Sequence, residues 1–482
     1  MILKFIWLLL LGYVAPIDAS KILVIAPSLS NSHLLMMGKL ADALVKDGHD
    51  VTFFIQEYNK LATSNGTKLA NIIRINNIEA QTFDEIIEGY DVFESNSGTF
   101  LDKLEMAEFF SNMCEAVLKK RSEVEYLKNH KFDVAITNGI DFCGIGIARY
   151  LGIKNQITYV TNPIHENAAF YIGVPQPISY VPVVEYNPLG PKMGFIDRVN
   201  NFKEYLLLMF VQEYHIKKTT QAFRRQLGQK FPSISSLASE TNLCFINGNE
   251  FLDAARPILH KTVYIGGLGL EDPKPLQEPY KSLMEKGKKG VILLSFGTIA
   301  PTTFFKQSLK EEIFEALGEF KDYHFIVKID KNDEISRGLA AKFENIDVSD
   351  WLPQTDILAH PRLKVFIVHG GYNSLLESVI RGVPVIVVPM FADQFRNGKN
   401  VEYRGFGYYL DRREFGKASL SKALNTVLND PSYKNSAIRL SQLIKNKPFT
   451  PEETFFKWTR FVAEHGILPE LHIEEVLVVA YS

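Results

Sequence analysis

Residues 365–374 read VFIVHGGYNS, and this stretch decides the fold class. Its first four residues are apolar and mostly β-branched, as in a buried strand, and two glycines then lead into a helix predicted from about Asn373 to Arg381. Gly382 suits the end of that helix, and residues 385–388 have the pattern of the next strand. A strand, a glycine turn, a helix and a strand form one unit of a parallel sheet that is covered by helices.

The same alternation extends in both directions along the chain. Upstream, the predicted elements are strands at 21–27, 50–55, 132–137 and 156–160 and a helix from about His33 to Lys46. After a glycine- and proline-rich boundary at 266–279, the second series has strands at 290–296, 324–329, 365–368 and 385–388 and a helix near 307–320. The pattern predicts two doubly wound α/β halves. Ligands of such sheets bind at the carboxyl ends of the strands, so the site is predicted in the cleft between the halves.

The composition excludes several classes of protein. The chain has 482 residues, with 53 Lys and Arg against 55 Asp and Glu, and its formal charge of −2 argues against a broad basic surface for nucleic acid. With 12% aromatic residues and a mean hydropathy of −0.03, it has ample apolar surface for packed cores and is not expected to be disordered. Three cysteines cannot form a disulfide scaffold, and Cys114, Cys143 and Cys244 are expected to be packing residues. Because their number is odd, at least one of them is free or pairs between chains.

The glycine turn has the properties of an anion site. Paired glycines let the backbone approach a ligand closely, and the free amides at a helix start favour negative charge. Asn373 and Ser374 are placed to cap the helix or to contact a phosphate, and Glu377 follows one turn later, where its carboxylate can accept hydrogen bonds from ribose hydroxyls. An ordinary glycine turn with a cap is the alternative. The G-x-G-x-x-G pattern is absent, which argues against NAD.

Polar and aromatic residues flank this turn on both sides. Trp351 follows a strand and can stack on a planar base, with Gln354 at the polar edge of the base. Asp393 and Gln394 follow strand 385–388, where a carboxylate and an amide suit sugar hydroxyls. A core tryptophan and an exposed loop are the alternatives.

The ordered set resembles the donor-binding motif of the UDP-glycosyltransferases. The matching run is WLPQ at 351–354, HP at 360–361, FIVHGGYNS at 366–374, Glu377 and PMFADQ at 389–394. The resemblance extends from strand 21–27 to about Phe461. It implies the GT-B architecture, in which two Rossmann-like doubly wound domains face each other across a cleft.

The resemblance also assigns a role to each residue of the motif. It implies that Trp351 stacks on uracil, that Gln354 contacts the base or ribose, and that Glu377 binds the ribose hydroxyls. It places the diphosphate against His369, Gly371, Asn373, Ser374 and Thr298, and the sugar against Asp393 and Gln394.

The implied reaction is a metal-independent, inverting transfer by direct displacement. A hexosyl group, glucuronosyl or glucosyl, passes from a UDP-sugar to a hydroxyl of a small lipophilic acceptor. The UDP-sugar is a co-substrate, and we expect no cofactor or metal. The sequence does not specify the sugar: Lys328 at a strand end would suit a glucuronate carboxylate, although a solvated lysine is the simpler expectation.

An acceptor hydroxyl must lose its proton during the attack, and His33 is the candidate base. It follows the first strand at the start of a helix, where the resembling family has its catalytic histidine. That family places an acid after the strand at 132–137, but here Asn138 stands at that point. Asn138 cannot offset the charge of an imidazolium, so we hypothesise that Asp141 supports His33. His49, which follows Gly48 at a turn, is expected to be structural.

The acceptor is predicted to lie against the first half of the chain. Segments 100–118 and 163–215 are rich in aromatic residues that either line a lipophilic pocket or, as we expect for most of them, belong to the core. These residues are Phe170, Tyr171, Tyr180, Tyr186, Phe202 and Phe210.

Two other functions remain as alternatives. Asn138 is compatible with a catalytically impaired protein that binds UDP-sugars without turnover. A different GT-B enzyme, such as a nucleotide-sugar epimerase, is disfavoured by the order of motifs between Trp351 and Gln394. The sequence does not indicate the oligomeric state.

The N-terminus has the pattern of a signal peptide, with Lys4, an apolar run at 5–15 and small residues at 19–20. We therefore expect a protein of the secretory pathway, lumenal in the endoplasmic reticulum or secreted, with Asn65-Gly66-Thr67 as a glycosylation acceptor. The apolar C-terminal run is shorter than the roughly 20 residues of a membrane helix. Peripheral membrane association, or a shortened form of an anchored protein, stays open. The predicted boundaries are 1–20 for the signal peptide, 21–265 for an acceptor-binding domain, 266–285 for a linker, 286–445 for a UDP-sugar-binding domain and 446–482 for a tail whose helix packs back on the first domain.

Overall fold

The structure is a computed structural model that describes residues 19–87, 98–297 and 300–473. The predicted signal peptide lies almost wholly outside the described residues. Two parallel sheets are present, one formed by strands between residues 21 and 264 and the other by strands between 290 and 409. The prediction of two doubly wound α/β halves is confirmed.

The first sheet has seven strands in the order β3-β2-β1-β4-β5-β6-β7, and all neighbours pair in parallel. Its strands are β1 Lys21–Pro27, β2 Asp50–Gln56, β3 Asn71–Ile75, β4 Val134–Asn138, β5 Asn155–Val160, β6 Leu243–Ile246 and β7 Thr262–Tyr264. The sequence pattern missed β3, β6 and β7. These strands are short, and β3 is mostly exposed, so none of them has a long apolar run.

The second sheet has six parallel strands in the order β10-β9-β8-β11-β12-β13. Its strands are β8 Gly290–Ser295, β9 Tyr323–Lys328, β10 Ile346–Ser349, β11 Leu363–Val368, β12 Val385–Val387 and β13 Gly407–Tyr409. The order reverses between β8 and β11, and their carboxyl ends form the edge at which a doubly wound sheet binds its ligand.

Helices connect the strands and cover both sheets. In the first half they are α1 Asn31–Lys46, α2 Phe83–Ile87, α3 Phe100–Lys119, α4 Arg121–Tyr126, α5 Cys143–Tyr150, α6 Glu166–Ile172, α7 Phe195–Leu227 and α8 Ile234–Ser239. The remainder of the chain has α9 Tyr280–Glu285, α10 Gln307–Gly318, α11 Glu334–Ala340, α12 Gln354–Ala359, α13 Tyr372–Ile380, α14 Gln394–Arg404, α15 Lys417–Asn429, α16 Pro431–Lys445 and α17 Pro451–His465. Short 3₁₀ turns lie at Leu127–His130, Thr302–Phe304, Arg412–Glu414 and Pro469–Leu471.

Each sheet is buried on both faces because successive strand residues point to opposite sides. In β1, Leu23 and Ile25 belong to one core cluster, whereas Ile22 and Val24 belong to another. Two further clusters lie on the two faces of the second sheet. The apolar runs that predicted the strands are therefore the cores of the two halves.

The tail helix α17 lies over the first sheet. Phe455 has its ring centroid 5.0 Å from that of Phe245 in β6, and Phe455 and Val462 belong to the same cluster as Ile22 and Val24. Arg460 also pairs with Asp47 at the end of α1. In the part of the chain that the structure describes, no helix is long and apolar enough to cross a membrane.

Two expectations about side chains in the first half are wrong. Cys114 in α3 and Cys143 at the start of α5 form a disulfide, and only Cys244 is a free, buried cysteine among the described residues. Four of the six aromatic residues expected mostly in the core are instead exposed to between 46% and 61%, namely Phe170, Tyr180, Phe202 and Phe210. Tyr171 is a core residue, as expected.

Candidate functional site

The site lies where the carboxyl ends of the two sheets meet. In the second sheet, β11 ends at Val368 and passes through Gly370, whose φ of 90° favours glycine, into α13. Gly297 after β8 also has a left-handed backbone, with φ at 78°. The imidazole of His369 lies against both turns, because a Cβ added at Gly297 or Gly371 would come within 3.0 Å of its ring atoms. The missing side chains thus make room for His369 and leave backbone amides accessible.

The neutral form of His369 is favoured. Burial, with the nearby charge of Lys328 as a smaller cause, lowers the pKa of His369 to about 4. Its Nδ1 atom is buried without a hydrogen-bond partner in the described structure. The hydrogen bond between the ring and the backbone of Ser295 opposes that lowering of the pKa.

An amide pair joins the two halves at this point. Asn247, directly after β6, donates from Nδ2 to the carbonyl of Thr161 and to Oδ1 of Asn373, each at 2.7 Å. Because the Thr161 carbonyl only accepts, the atom of Asn247 between them is a nitrogen, and Asn373 must face it with its oxygen. The Nδ2 donor of Asn373 is therefore left for a ligand. The predicted capping of α13 by Asn373 or Ser374 is wrong, since the helix begins at Tyr372 and Gly371 is its N-cap without a side-chain bond.

The predicted base and ribose contacts lie together. Gln354 at the start of α12 donates from Nε2 to Glu377 Oε2 at 2.8 Å and to Ser374 Oγ at 3.5 Å. Burial raises the pKa of Glu377 above its usual value, and Gln354, Lys39 and Arg381 oppose that shift. Lys39 belongs to α1, so the first half of the chain acts on this carboxylate across the cleft.

Trp351 is not a core residue. The residue is 70% exposed. Its carbonyl oxygen accepts hydrogen bonds from the hydroxyls of Tyr280 and Ser349. The backbone is thus fixed while the indole is free to stack on a planar ligand.

The predicted sugar contacts are buried at the start of α14. Asp393 and Gln394 are 7% and 3% exposed, so the exposed-loop alternative does not hold. Gln394 Oε1 accepts the backbone N–H groups of Met390 and Phe391, which leaves its Nε2 as the available donor. Burial raises the pKa of Asp393, and the amide of Asn397 at 2.7 Å opposes that shift.

Two further residues were considered for the donor side, Thr298 and Lys328. Thr298 is outside the described residues. Lys328 is not solvated: it is half-buried and its Nζ donates to the carbonyl of Gly297, and burial lowers its pKa.

His33 lies at the other side of the cleft, in the first turn of α1. Ser30 caps this helix by accepting the backbone N–H of His33 at 3.1 Å. Asn138, the last residue of β4, places Nδ2 at 2.9 Å from Nε2 of the His33 ring, and its Oδ1 accepts the backbone N–H of Ile140 at 2.7 Å. Burial lowers the pKa of His33 to about 4.

The hypothesis that Asp141 supports His33 is wrong. Asp141 is buried and accepts a hydrogen bond from the hydroxyl of Tyr58 at 2.9 Å. Burial raises its pKa to about 6. The turn after β4 carries Asp141 into the core beneath Tyr58, whereas Asn138 at the strand end stays beside β1 and α1. Asn138 is therefore the polar partner of His33.

Neither a metal-ligand cluster nor His49 is part of the candidate site in the described residues. Within 19–87, 98–297 and 300–473, no group of three or more His, Cys, Asp or Glu side chains is placed to hold a metal ion. His49 is buried, accepts the backbone N–H of Ser20 and lies 3.4 Å from Asp47, away from the cleft residues.

Comparison with known proteins identifies the family. A family model described as "UDP-glucoronosyl and UDP-glucosyl transferase" matches residues 20–472. The chain belongs to the UDP-glycosyltransferase family. A Caenorhabditis elegans protein named as a candidate UDP-glucuronosyltransferase, ugt-50, is 36% identical over 95% of this chain and 88% of its own length. UDP-glucuronosyltransferase 3A2 of Homo sapiens is 28% identical over 95% of this chain and 88% of its own length.

Solved structures agree with the GT-B fold of this UDP-glycosyltransferase. Os79 from O. sativa, solved in complex with UDP, superposes with a TM-score of 0.63 at 16% identity, covering 92% of this chain and 99% of that chain. The calicheamicin glycosyltransferase CalG4 superposes with a TM-score of 0.64 at 15% identity, covering 93% and 100%. The chain is accordingly a UDP-sugar-dependent hexosyltransferase with the two-domain GT-B architecture.

Two residues that contact the candidate site were not predicted from the sequence. Asn247 stands after β6, a strand that the pattern did not predict. Asn397 lies one turn after Asp393 and donates both to Asp393 and to the carbonyl of Gly370, at 2.7 and 3.1 Å. Its spacing from Asp393 on a helix was the available signal for that residue.

Proposed function

We propose that the protein transfers a hexosyl group, glucuronosyl or glucosyl, from a UDP-sugar to a hydroxyl of a small lipophilic acceptor, with inversion at the anomeric carbon. The observation that carries this proposal is the bond between Gln354 and Glu377 beside the exposed indole of Trp351. An exposed aromatic side chain, followed three residues later by an amide that is bonded to a buried carboxylate, matches a base and its ribose.

The diphosphate would lie against the start of α13. Backbone amides after the glycine turn and the free nitrogen of Asn373 would provide donors there, and the imidazole of His369 lies beside them. These dipoles would stabilise the charge that develops on the leaving UDP without a metal ion. Asp393 and the Nε2 donor of Gln394 would bind hydroxyls of the sugar.

The acceptor would approach from the first domain, with its attacking oxygen at His33. The exposed aromatic residues of α6 and α7, Phe170, Phe202 and Phe210, supply apolar surface in this domain for a lipophilic molecule. The role of His33 as a base remains a prediction, and its bond to Asn138 bears directly on it.

The experiment is a transfer assay on the purified mature chain. UDP-glucose and UDP-glucuronate are each incubated with a mixed panel of phenols and sterols, and both UDP and glycoside are quantified. Acceptor-dependent formation of UDP and glycoside in equal amounts supports the proposal. Glu377→Gln is expected to reduce turnover strongly, and the exposed Glu464→Gln is the matched control.

A second candidate is a UDP-sugar-binding protein without turnover. The observation in its favour is that His33 is buried and has an amide, not a carboxylate, as its partner. Saturable binding of UDP-sugar with no product from any acceptor would favour this candidate, and UDP release without an acceptor would indicate hydrolysis.

We further propose that the protein enters the secretory pathway and resides in the lumen of the endoplasmic reticulum or is secreted. Supporting this, Asn65 of the acceptor triplet is exposed. A mass shift on treatment with an N-glycosidase, absent from Asn65→Gln, would support it; an unglycosylated chain in the cytosolic fraction would contradict it.

A further inference from the structure

The hydrogen-bond pattern around His33 fixes which of its ring nitrogens carries the proton. A backbone N–H only donates, so the atom of Asn138 that faces Ile140 N is the oxygen Oδ1. The nitrogen Nδ2 of the same amide must then face His33 at 2.9 Å. Because Nδ2 carries hydrogens and no available lone pair, it donates to His33 Nε2. That ring nitrogen is therefore an acceptor and unprotonated.

The other ring nitrogen must carry the proton in the neutral imidazole, which has one N–H. Nδ1 of His33 has no hydrogen-bond partner within the described residues and is not one of their fully buried unpaired atoms, so Nδ1–H is the group left for a bound acceptor. A carboxylate at position 138 would give the opposite arrangement, since it would accept from Nε2–H and leave a free lone pair on Nδ1. The amide of Asn138 thus makes Nε2 of His33 the acceptor and Nδ1 the donor, whereas a carboxylate would make Nε2 the donor and Nδ1 the acceptor.

We infer that Asn138 holds His33 as a hydrogen-bond donor toward the acceptor, so that the site selects acceptors whose attacking oxygen is already ionised, namely carboxylic acids and acidic phenols. This inference rests on the proposed function. It makes Asn138 a positioning residue, because it acts through His33.

The chemistry of such an acceptor balances without a base. The ionised oxygen attacks the anomeric carbon, a new C–O bond forms, and the bond from that carbon to the β-phosphate oxygen breaks, with its electron pair leaving on UDP. No proton has to be removed, and Nδ1–H of His33 donates to the anionic oxygen and orients it. A neutral alcohol would also have to give up a proton, but the Nε2 lone pair is engaged by Asn138 and Nδ1 already bears hydrogen.

The environment of His33 is consistent with this role. His33 is 9% exposed, Asn138 is 1% exposed, and Met37 lies beside the amide with its sulfur 3.8 Å from Nδ2. Burial lowers the pKa of His33 and so favours the neutral ring. The nearest carboxyl group along this turn, that of Asp141, is bonded to Tyr58.

The first test determines by ¹⁵N NMR which ring nitrogen of His33 is protonated. The chain is labelled with ¹⁵N-histidine, and the His33 signals are assigned by their loss in His33→Ala. In the wild type we expect protonated Nδ1 and unprotonated Nε2, and in Asn138→Asp we expect the reverse, because a carboxylate oxygen can still accept the Ile140 N–H while the other accepts from Nε2. Protonated Nε2 in the wild type would overturn the inference, whatever the activity.

The second test compares acceptors of similar shape but different acidity. The kcat/KM values for 1-naphthoic acid and 1-naphthalenemethanol are measured with the UDP-sugar that supports turnover. The wild type is expected to use the carboxylate and to use the alcohol poorly. Asn138→Asp should raise kcat/KM for the alcohol by about tenfold or more, chiefly through kcat, as for the gain of a general base. It should not raise the value for the carboxylate.

A double-mutant control separates this effect from a change in folding. In a His33→Ala background, Asn138→Asp should no longer increase transfer to the alcohol, because the gain acts through the imidazole. Transfer to the alcohol in preference to the carboxylate by the wild type would overturn this inference and leave the proposed function intact. Absence of transfer to every acceptor would overturn both.

Discussion

Asn247 of the first domain lies 2.7 Å from Asn373 of the second, with its side-chain nitrogen facing the oxygen of Asn373. Asn249 adds a second bond across the same boundary, because its backbone N–H donates to the hydroxyl of Tyr372 at 2.8 Å. The start of α13, where the diphosphate is proposed to bind, is therefore positioned partly by the first domain. Donor binding and the relative position of the two domains should depend on each other.

Removing the amide of Asn247 should weaken donor binding. In Asn247→Ala, Asn373 loses the contact that turns its nitrogen toward the ligand, a loss of about 1 kcal/mol that corresponds to about a fivefold rise in Kd for UDP. Isothermal titration calorimetry measures it. Asn71→Ala, at an exposed amide in β3, is the control. Equal affinity in Asn247→Ala and the control would remove Asn247 from the donor site.

Trp351→Ala should lose affinity for UDP without losing stability. Stacking of a base on an aromatic side chain contributes about 1–3 kcal/mol, so Kd should rise about 5- to 150-fold. The exposed indole contributes little to folding. Trp351→Phe should retain part of the affinity. Quenching of tryptophan fluorescence by UDP should disappear in Trp351→Phe and persist in Trp458→Phe. A large fall in thermal stability with unchanged affinity would show that the indole is structural.

Glu377→Gln should weaken UDP binding about 10- to 100-fold, because hydrogen bonds to a charged group contribute about 1.5–3 kcal/mol. The wild type should also lose affinity as the pH falls. Burial raises the pKa of Glu377, so protonation of the carboxylate begins above the usual range of a glutamate and removes an acceptor for the ribose hydroxyls. Binding by Glu377→Gln should be less dependent on pH in this range. The same pH dependence in both proteins would assign it to another group.

The buried ion pair between Lys310 and Asp333 in the second domain should contribute far more to stability than an exposed ion pair of the same domain. Lys310 and Asp333 are 2.7 Å apart with side chains only 4% and 1% exposed. Lys310→Met leaves a buried carboxylate without its partner and should lower the free energy of unfolding by about 3–5 kcal/mol. Lys289→Met, which breaks the exposed pair with Asp322, should lower it far less, because solvent screens that pair. Urea denaturation compares the two variants, and similar losses would contradict this assignment.

The contribution of that pair should also depend on pH. Burial alone would raise the pKa of Asp333, but hydrogen bonds from Lys310 and Ser336 outweigh it and hold the pKa below the usual value of 3.8. A carboxyl group with a lowered folded-state pKa stabilises above its unfolded pKa and loses that contribution as the pH falls through the folded value. In Lys310→Met the buried carboxyl group lacks the hydrogen bond that most lowers its pKa, so it takes up a proton at a higher pH than in the wild type. The difference between wild type and Lys310→Met should therefore be constant near neutral pH and begin to shrink at the pH where Asp333 of the variant becomes protonated.

Local sequence patterns were sufficient for the central strands and for the donor motif. β1, β8 and β11 are buried on both faces along most of their length, so each contains a continuous apolar run. The motif residues lie at strand ends, where parallel sheets bring them together. The edge strands β3, β7, β10 and β13 are short or partly exposed, and their position depends on pairing with a neighbour more than on their own residues.

The contacts that the sequence could not reveal are the ones made over long separations. Asn247 and Asn373 are 126 residues apart in sequence, and Tyr58, which donates a hydrogen bond to Asp141, is 83 residues from it. The disulfide between Cys114 and Cys143 likewise depends on how α3 lies beside α5. The hypothesis for Asp141 relied on its closeness to Asn138 in sequence, but the turn after β4 directs the two side chains to different partners.

We propose above all that a UDP-sugar held at the start of α13 gives its sugar to an acceptor. This proposal is tested most directly by quantifying UDP and glycoside by mass spectrometry in one reaction, with wild type and Glu377→Gln in parallel. We expect equal amounts of both products from the wild type, only when an acceptor is present, and a strong reduction in Glu377→Gln. Saturable UDP-sugar binding without any glycoside from the full acceptor panel would contradict it.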